Sequence, residues 1–225
     1  MGLFGPSTAE RHAAAAQAIR PYGFVLDPSA AVGLGRYLPF ELLATPQTFA
    51  TCALGEIEDA PVEAYEYGYS SRDSDGNTTY RTELVIAVHH ASIRGRASIR
   101  PEWREWSVFA AALDIILWVP PFTLVKAIQL LAESRHPDRS VGDSDFDRLY
   151  VVRAASDAAA REAIPQPLRD ALMRIGFKGT LEIRPGVLLY SPHRLGLDGE
   201  GAVPALGIAT VLLAALRRPE GYRGA

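Results

Sequence analysis

Between Thr51 and His89 two extended segments flank the polar stretch Ser71-Arg72-Asp73-Ser74-Asp75-Gly76-Asn77, and this β-hairpin constrains the fold more than any other feature of the chain. In the first arm Tyr65, Tyr67 and Tyr69 alternate with Glu66, Gly68 and Ser70, the period of two expected of a half-buried strand with its tyrosines inward. In the return arm Tyr80, Thr82, Leu84, Ile86 and Val88 share a face, and apolar character grows away from the turn. The hairpin root is therefore expected in the core and its tip in water. A tight turn at Glu58-Asp59-Ala60-Pro61 adds a preceding strand, so residues 51–89 read as a three-stranded meander.

A sheet with one apolar face needs a second layer, and the chain supplies helices for it. Ser7-Thr8-Ala9-Glu10 has the spacing of a capping box, and the alanine-rich run behind it predicts a helix to Arg20, stopped by Pro21. Tyr22 to Gln47, broken by Pro28, Gly33, Gly35, Pro39 and Pro46, reads as irregular. A helix is expected from Thr123 to about Arg135. After Asp147 a strand runs through Leu149, Tyr150, Val151 and Val152. A helix from Asp157 is broken at Pro165-Gln166-Pro167 and resumes with Leu168, Leu172 and Ile175 on one face, with Gly176 as its C′ residue. Residues 180–190 read as a hairpin about Pro185-Gly186, and a last helix runs from about Gly201 to Arg218, with Arg217 and Arg218 facing the negative end of its dipole. Strands and helices fall in blocks instead of alternating, which gives an α+β fold: antiparallel strands at about 51–89 and 180–190 packed with N-terminal, central and C-terminal helices. The chain reads as one unit over 1–225, or as two subdomains, 1–140 and 141–225.

With 225 residues, 48% apolar and 22% charged, the chain can bury a core without disulfides or metal. The net charge of −3 provides no basic field for a nucleic-acid backbone or an anionic membrane. Cys52 is alone, so no intramolecular disulfide forms, and residues 1–6 carry no signal-peptide or myristoylation pattern. A cytoplasmic protein is the expectation. The two apolar runs are a buried helix at 108–125, interrupted by Asp114 and Pro120-Pro121, and the C-terminal core helix. Neither predicts integral membrane insertion.

Side chains that carry chemistry are present but unarranged. Asp73, Asp75 and Asn77 alternate beside Gly76, yet the glycine comes two residues early for a calcium loop and Leu84 stands where its glutamate belongs. Asp143, Asp145 and Asp147 also alternate, but Arg148 replaces the loop glycine, and they are read as leading into the strand. His89-His90 would need His136 or His193 to complete a metal site. Glu56, Glu58, Glu63 and Glu66 could run acid/base chemistry if two of them faced one cleft. Arg94, Arg96, Arg100 and Arg104 beside Trp103 and Trp106 could grip phosphate or a membrane interface, and otherwise form a solvated basic face. No nucleophile elbow, phosphate loop or dinucleotide fingerprint occurs. The sequence therefore assigns no catalytic residue, no cofactor-binding residue and no metal ligand.

In order along the chain, Leu38-Pro39-Phe40-Glu41-Leu42, Gly55-Glu56 leading into Val62-Glu63-Ala64-Tyr65-Glu66-Tyr67-Gly68-Tyr69, Val119-Pro120-Pro121-Phe122-Thr123-Leu124 and Asp145-Phe146-Asp147-Arg148-Leu149-Tyr150-Val151-Val152 give the sequence a likeness to known proteins. Over about two thirds of its length it resembles an uncharacterised bacterial family of unknown function. The resemblance implies a shared α+β fold and brings no functional residue with it.

The reading that follows is a non-enzymatic cytoplasmic binding module that takes a protein or small ligand on a sheet face or at the hairpin tip. A peripheral membrane protein using Trp103, Trp106 and residues 108–125 is the second reading. An enzyme with carboxylate chemistry is the third.

Overall fold

The computed structural model describes residues 8–27, 48–72, 78–102, 137–192 and 201–217. The expected meander is present as β2 (Thr48–Ile57), β3 (Ala60–Arg72) and β4 (Thr78–His89). Glu58 and Asp59 form the two-residue turn between β2 and β3 with φ of 47° and 68°. Both lie in the left-handed region, as a type I′ turn requires for its twist to match the strands. Arg217, last residue of the C-terminal helix α5 (Ala202–Arg217), holds this turn. Its guanidinium donates to the Glu58 carbonyl and lies 3.4 Å from the Glu58 carboxylate. Arg217 thus serves a neighbouring turn as well as its own helix end.

Among the described residues the meander extends into one antiparallel sheet of nine strands with the order β1-β2-β3-β4-β9-β8-β5-β7-β6. The added strands are β1 (Val25–Asp27), β5 (Ala97–Pro101), β6 (Asp138–Arg139), β7 (Tyr150–Arg153), β8 (Thr180–Arg184) and β9 (Val187–Ser191). Strands from before and after residue 140 alternate in it. The β8–β9 hairpin turns at Pro185-Gly186 as expected, with Gly186 at φ 80°.

Four sequence expectations are corrected, the last of them the orientation of β3. Tyr22 to Gln47 is not wholly irregular, because β1 pairs with β2 there. The arginine-rich stretch contains β5, a strand that lies between β8 and β7 inside the sheet. Its Ala97 and Ile99 are buried while Arg100 is exposed, so the alternation was hidden by the density of arginines. The aspartates after Gly142 open a helix, α2 (Ser144–Leu149), and the strand begins only at Tyr150. Asp143 caps α2 by accepting the Phe146 N–H at 3.1 Å, and Asp147 accepts the Ser140 hydroxyl at 2.6 Å and the Val141 N–H at 3.1 Å. The second Asp143 oxygen lies 3.6 Å from Arg169 Nε, so both carboxylates are already engaged.

The remaining helices follow the sequence pattern. α1 spans Thr8–Ile19, and α3 (Asp157–Ala163) and α4 (Gln166–Arg174) are separated at Pro165. Ser156 caps α3 through the Ala159 N–H at 3.1 Å, and Gly176 follows α4 at φ 57°. Ile19, Leu168, Leu172, Leu206, Leu212 and Leu213 from these helices and α5 join one continuous core. The C-terminal apolar run is thus a core helix, as its length implied.

That core lies against the β3 face made by Val62, Ala64 and Glu66, the reverse of the expected orientation. Register explains the reversal: Val62, Ala64 and Glu66 stand opposite Val88, Ile86 and Leu84, the most apolar face of β4. Directly opposed residues share a face, so the face of β4 fixes that of β3. Tyr65 projects to the other side, yet it is only 4% exposed. With Val85, Ala87 and Leu189 it is buried outside the continuous core, so the middle of the sheet is shielded on both faces. The side chains of Tyr67 and Tyr69, the hairpin tip 73–77, Trp103, Trp106, residues 108–125 and the helix expected from Thr123 lie outside the described residues.

Candidate functional site

Strand register draws a line of residues across the whole face turned away from the core. It runs Val25, Leu54, Glu63, Ala87, Leu189, Glu182, Ser98, Arg153 and Asp138, one residue from each of the nine strands. Because opposed residues of an antiparallel ladder share a face, these side chains all project on one side. The row changes character along its length. At the β1 end Val25 is 67% exposed and Leu54 38%. In the middle, Ala87 and Leu189 are buried. Toward β6 the row is charged: Arg153 Nε stands 3.2 Å from the Asp138 carboxylate.

Glu182 is the unusual member, a carboxylate 4% exposed on a central strand. Burying such a charge is costly unless it is paired, and Arg184, two residues along the same strand, supplies a charge-assisted hydrogen bond to it. Near it on the same face, Ser191 is 2% exposed and its hydroxyl has no hydrogen-bond partner among the described residues. At the other side of the row the Glu63 carboxylate lies 3.7 Å from His89 Nε2, and both are half-buried.

The four glutamates singled out in the sequence do not converge. Glu56 and Glu63 share the outer face beside Leu54, Glu58 occupies the turn, and Glu66 lies on the core face, 3% exposed. Nor do the histidines act together. His89 faces Glu63, whereas His90 Nδ1 accepts the Ser92 N–H at 3.1 Å and lies 2.7 Å from the Ser92 hydroxyl, which closes the turn after β4. His136 and His193 lie outside the described residues, and among the described residues no group of three His, Cys, Asp or Glu side chains could hold a metal ion. The basic cluster is divided too. Arg94 and Arg96 are exposed in the loop that packs on α3 through Gly95, Arg100 is exposed on β5, and Arg104 lies outside the described residues.

Two tyrosines on the core side have perturbed ionisation. Burial pushes the Tyr190 phenol up to about 12 and raises that of Tyr150, whose hydroxyl donates to the Leu172 carbonyl at 3.0 Å. Both belong to the core and stand away from the row.

The row was not legible as a unit in the sequence, because its β1, β5 and β6 members lie on strands that the sequence reading missed. Alternation of Ala97 and Ile99 with Ser98 and Arg100 was the signal that could have found β5.

This geometry defines an α+β protein built on an antiparallel sheet, nine-stranded among the described residues. Among the described residues no helix is long and apolar enough to cross a membrane. Comparison with protein-family models, curated proteins and solved structures finds no match to the chain.

Proposed function

We propose that the chain is a non-enzymatic cytoplasmic binding module that engages a protein partner through the exposed margins of the sheet face turned away from its core. The observation that carries this reading is the row from Val25 to Asp138, apolar and exposed at one end and charged at the other. A face built only to be wet would need neither exposed Val25 and Leu54 nor a buried Glu182. Exposed apolar residues beside charged groups are the composition of a protein-recognition surface.

Photo-crosslinking in cells tests it. A photoreactive residue placed singly at Leu54, Glu56, Arg100 or Asp138, all exposed positions of this face, should yield discrete protein adducts. The same residue at Arg161, Arg174 or Gly207, exposed on the helices, should not. Adducts confined to the helical positions would overturn the assignment, as would a complete absence of adducts.

A further inference from the structure

Among the described residues four large hydrophobic side chains are exposed, Tyr22, Val25, Leu54 and Leu149, and two of them, Val25 and Leu54, are neighbours on β1 and β2. Single exposed apolar residues are ordinary, whereas a cluster rimmed by polar groups marks a contact surface. Val25 and Leu54 stand directly opposite each other on the open face. Around them on that face are carboxylates: Asp27 two residues along β1, exposed Glu56 two residues along β2, and Glu63 opposite Leu54 on β3, which is half-buried against His89. An apolar pair ringed by acids is complementary to a segment whose basic side chains lay their aliphatic stems on Leu54 and Val25 and bring their charges to the rim.

We infer that the β1 end of this face docks a basic, partly apolar peptide segment of a partner protein, a specific form of the binding proposed above that depends on it. β1 has three residues, so a partner strand added at its edge gains only a few main-chain hydrogen bonds. Recognition then rests on side chains, and the acids set its sign. The apolar pair supplies contact area, and the rim rejects acidic segments by like-charge repulsion.

Fluorescence anisotropy with the full chain and three labelled peptides tests this, one alternating leucine with arginine, one leucine with serine, one leucine with glutamate. The leucine–arginine peptide should bind about tenfold more tightly than either of the others and weaken as salt shortens the screening length. Leu54→Ser and Glu56→Lys should each weaken it about tenfold, while Glu56→Gln gives a smaller loss that isolates the charge. These residues are on the surface, and circular dichroism with the thermal midpoint checks that each variant is folded. Equal binding of the three peptides, or full binding by the folded variants, overturns the inference. Crosslinks from Arg100 and Asp138 with none from Leu54 and Glu56 would leave the open face as the binding surface and refute this location alone. Absence of adducts from all four would refute both.

Discussion

The loop from β4 to β5 reaches the helical layer at Gly95, and replacing that residue by alanine should be among the costliest single-methyl additions in the described chain. Gly95 has φ of +74°, where a Cβ meets the following carbonyl at a cost of about 1 kcal/mol. A Cβ there would also stand 2.8 Å from Ala163 Cβ and 2.9 Å from Ala163 Cα. Ala163 is the fully buried last residue of α3, and the nearest atoms include its backbone, so nothing flexible can swing aside. Overpacking of this kind costs about 1–3 kcal/mol. The stiffer unfolded chain returns about 0.4–1 kcal/mol, which leaves a net loss of about 1–3.6 kcal/mol. Gly142 is the control: it has φ of +78°, and a Cβ there meets nothing within 4 Å. Gly142→Ala should therefore lose less than about 1 kcal/mol, the conformational cost alone. Urea unfolding of both variants, with the slope m checked for constancy, gives the two losses directly. If Gly95→Ala loses no more than Gly142→Ala, the close packing of the loop on α3 is refuted.

Truncating buried Tyr65 to alanine should cost about 3 kcal/mol in urea unfolding, and a loss below about 0.5 kcal/mol would mean that the ring faces water. Ser156→Ala removes the cap of α3 and should lower stability by about 1 kcal/mol, read as a fall in thermal midpoint, whereas Ser156→Gly should lose less. The Tyr190 phenol titrates at about 12 in the folded chain, above its unfolded value near 10. Its raised value means that the folded state keeps the proton longer, so its contribution is complete below pH about 10 and is lost as pH rises toward 12. Urea midpoints measured across that window should fall for the wild type and fall less for Tyr190→Phe, and parallel curves would refute the burial argument.

What could be read beforehand was whatever has a local cause. The meander, the Pro185-Gly186 hairpin, the break at Pro165 and the core role of α5 all follow from periodicity and turn chemistry within about 20 residues. The orientation of β3 was not legible, because its own alternation of tyrosines against Glu66 points the wrong way and the register with Leu84, Ile86 and Val88 decides. β1 and β6, with three and two residues, are too short to show a period at all. The open-face row has no sequence signature, since its members are far apart along the chain and only the pairing of β4 with β9 and of β5 with β8 aligns them. Glu63 and Glu56 were singled out as carboxylates, but that they frame an apolar pair depends on β1.

The strand order also sets a schedule for biosynthesis. β4 is paired by β9 on the side away from β3, and about 100 residues separate His89 from Val187. At about 5–20 residues per second, a ribosome needs about 5–20 s to deliver β9 after finishing β4. During that interval the nascent meander has a ready edge and the greasy Leu84, Ile86 and Val88 face without the helix α5 that will cover it. Native closure must then await synthesis of β9 and α5, which makes the emerging meander a natural client for chaperones that guard unfinished sheets.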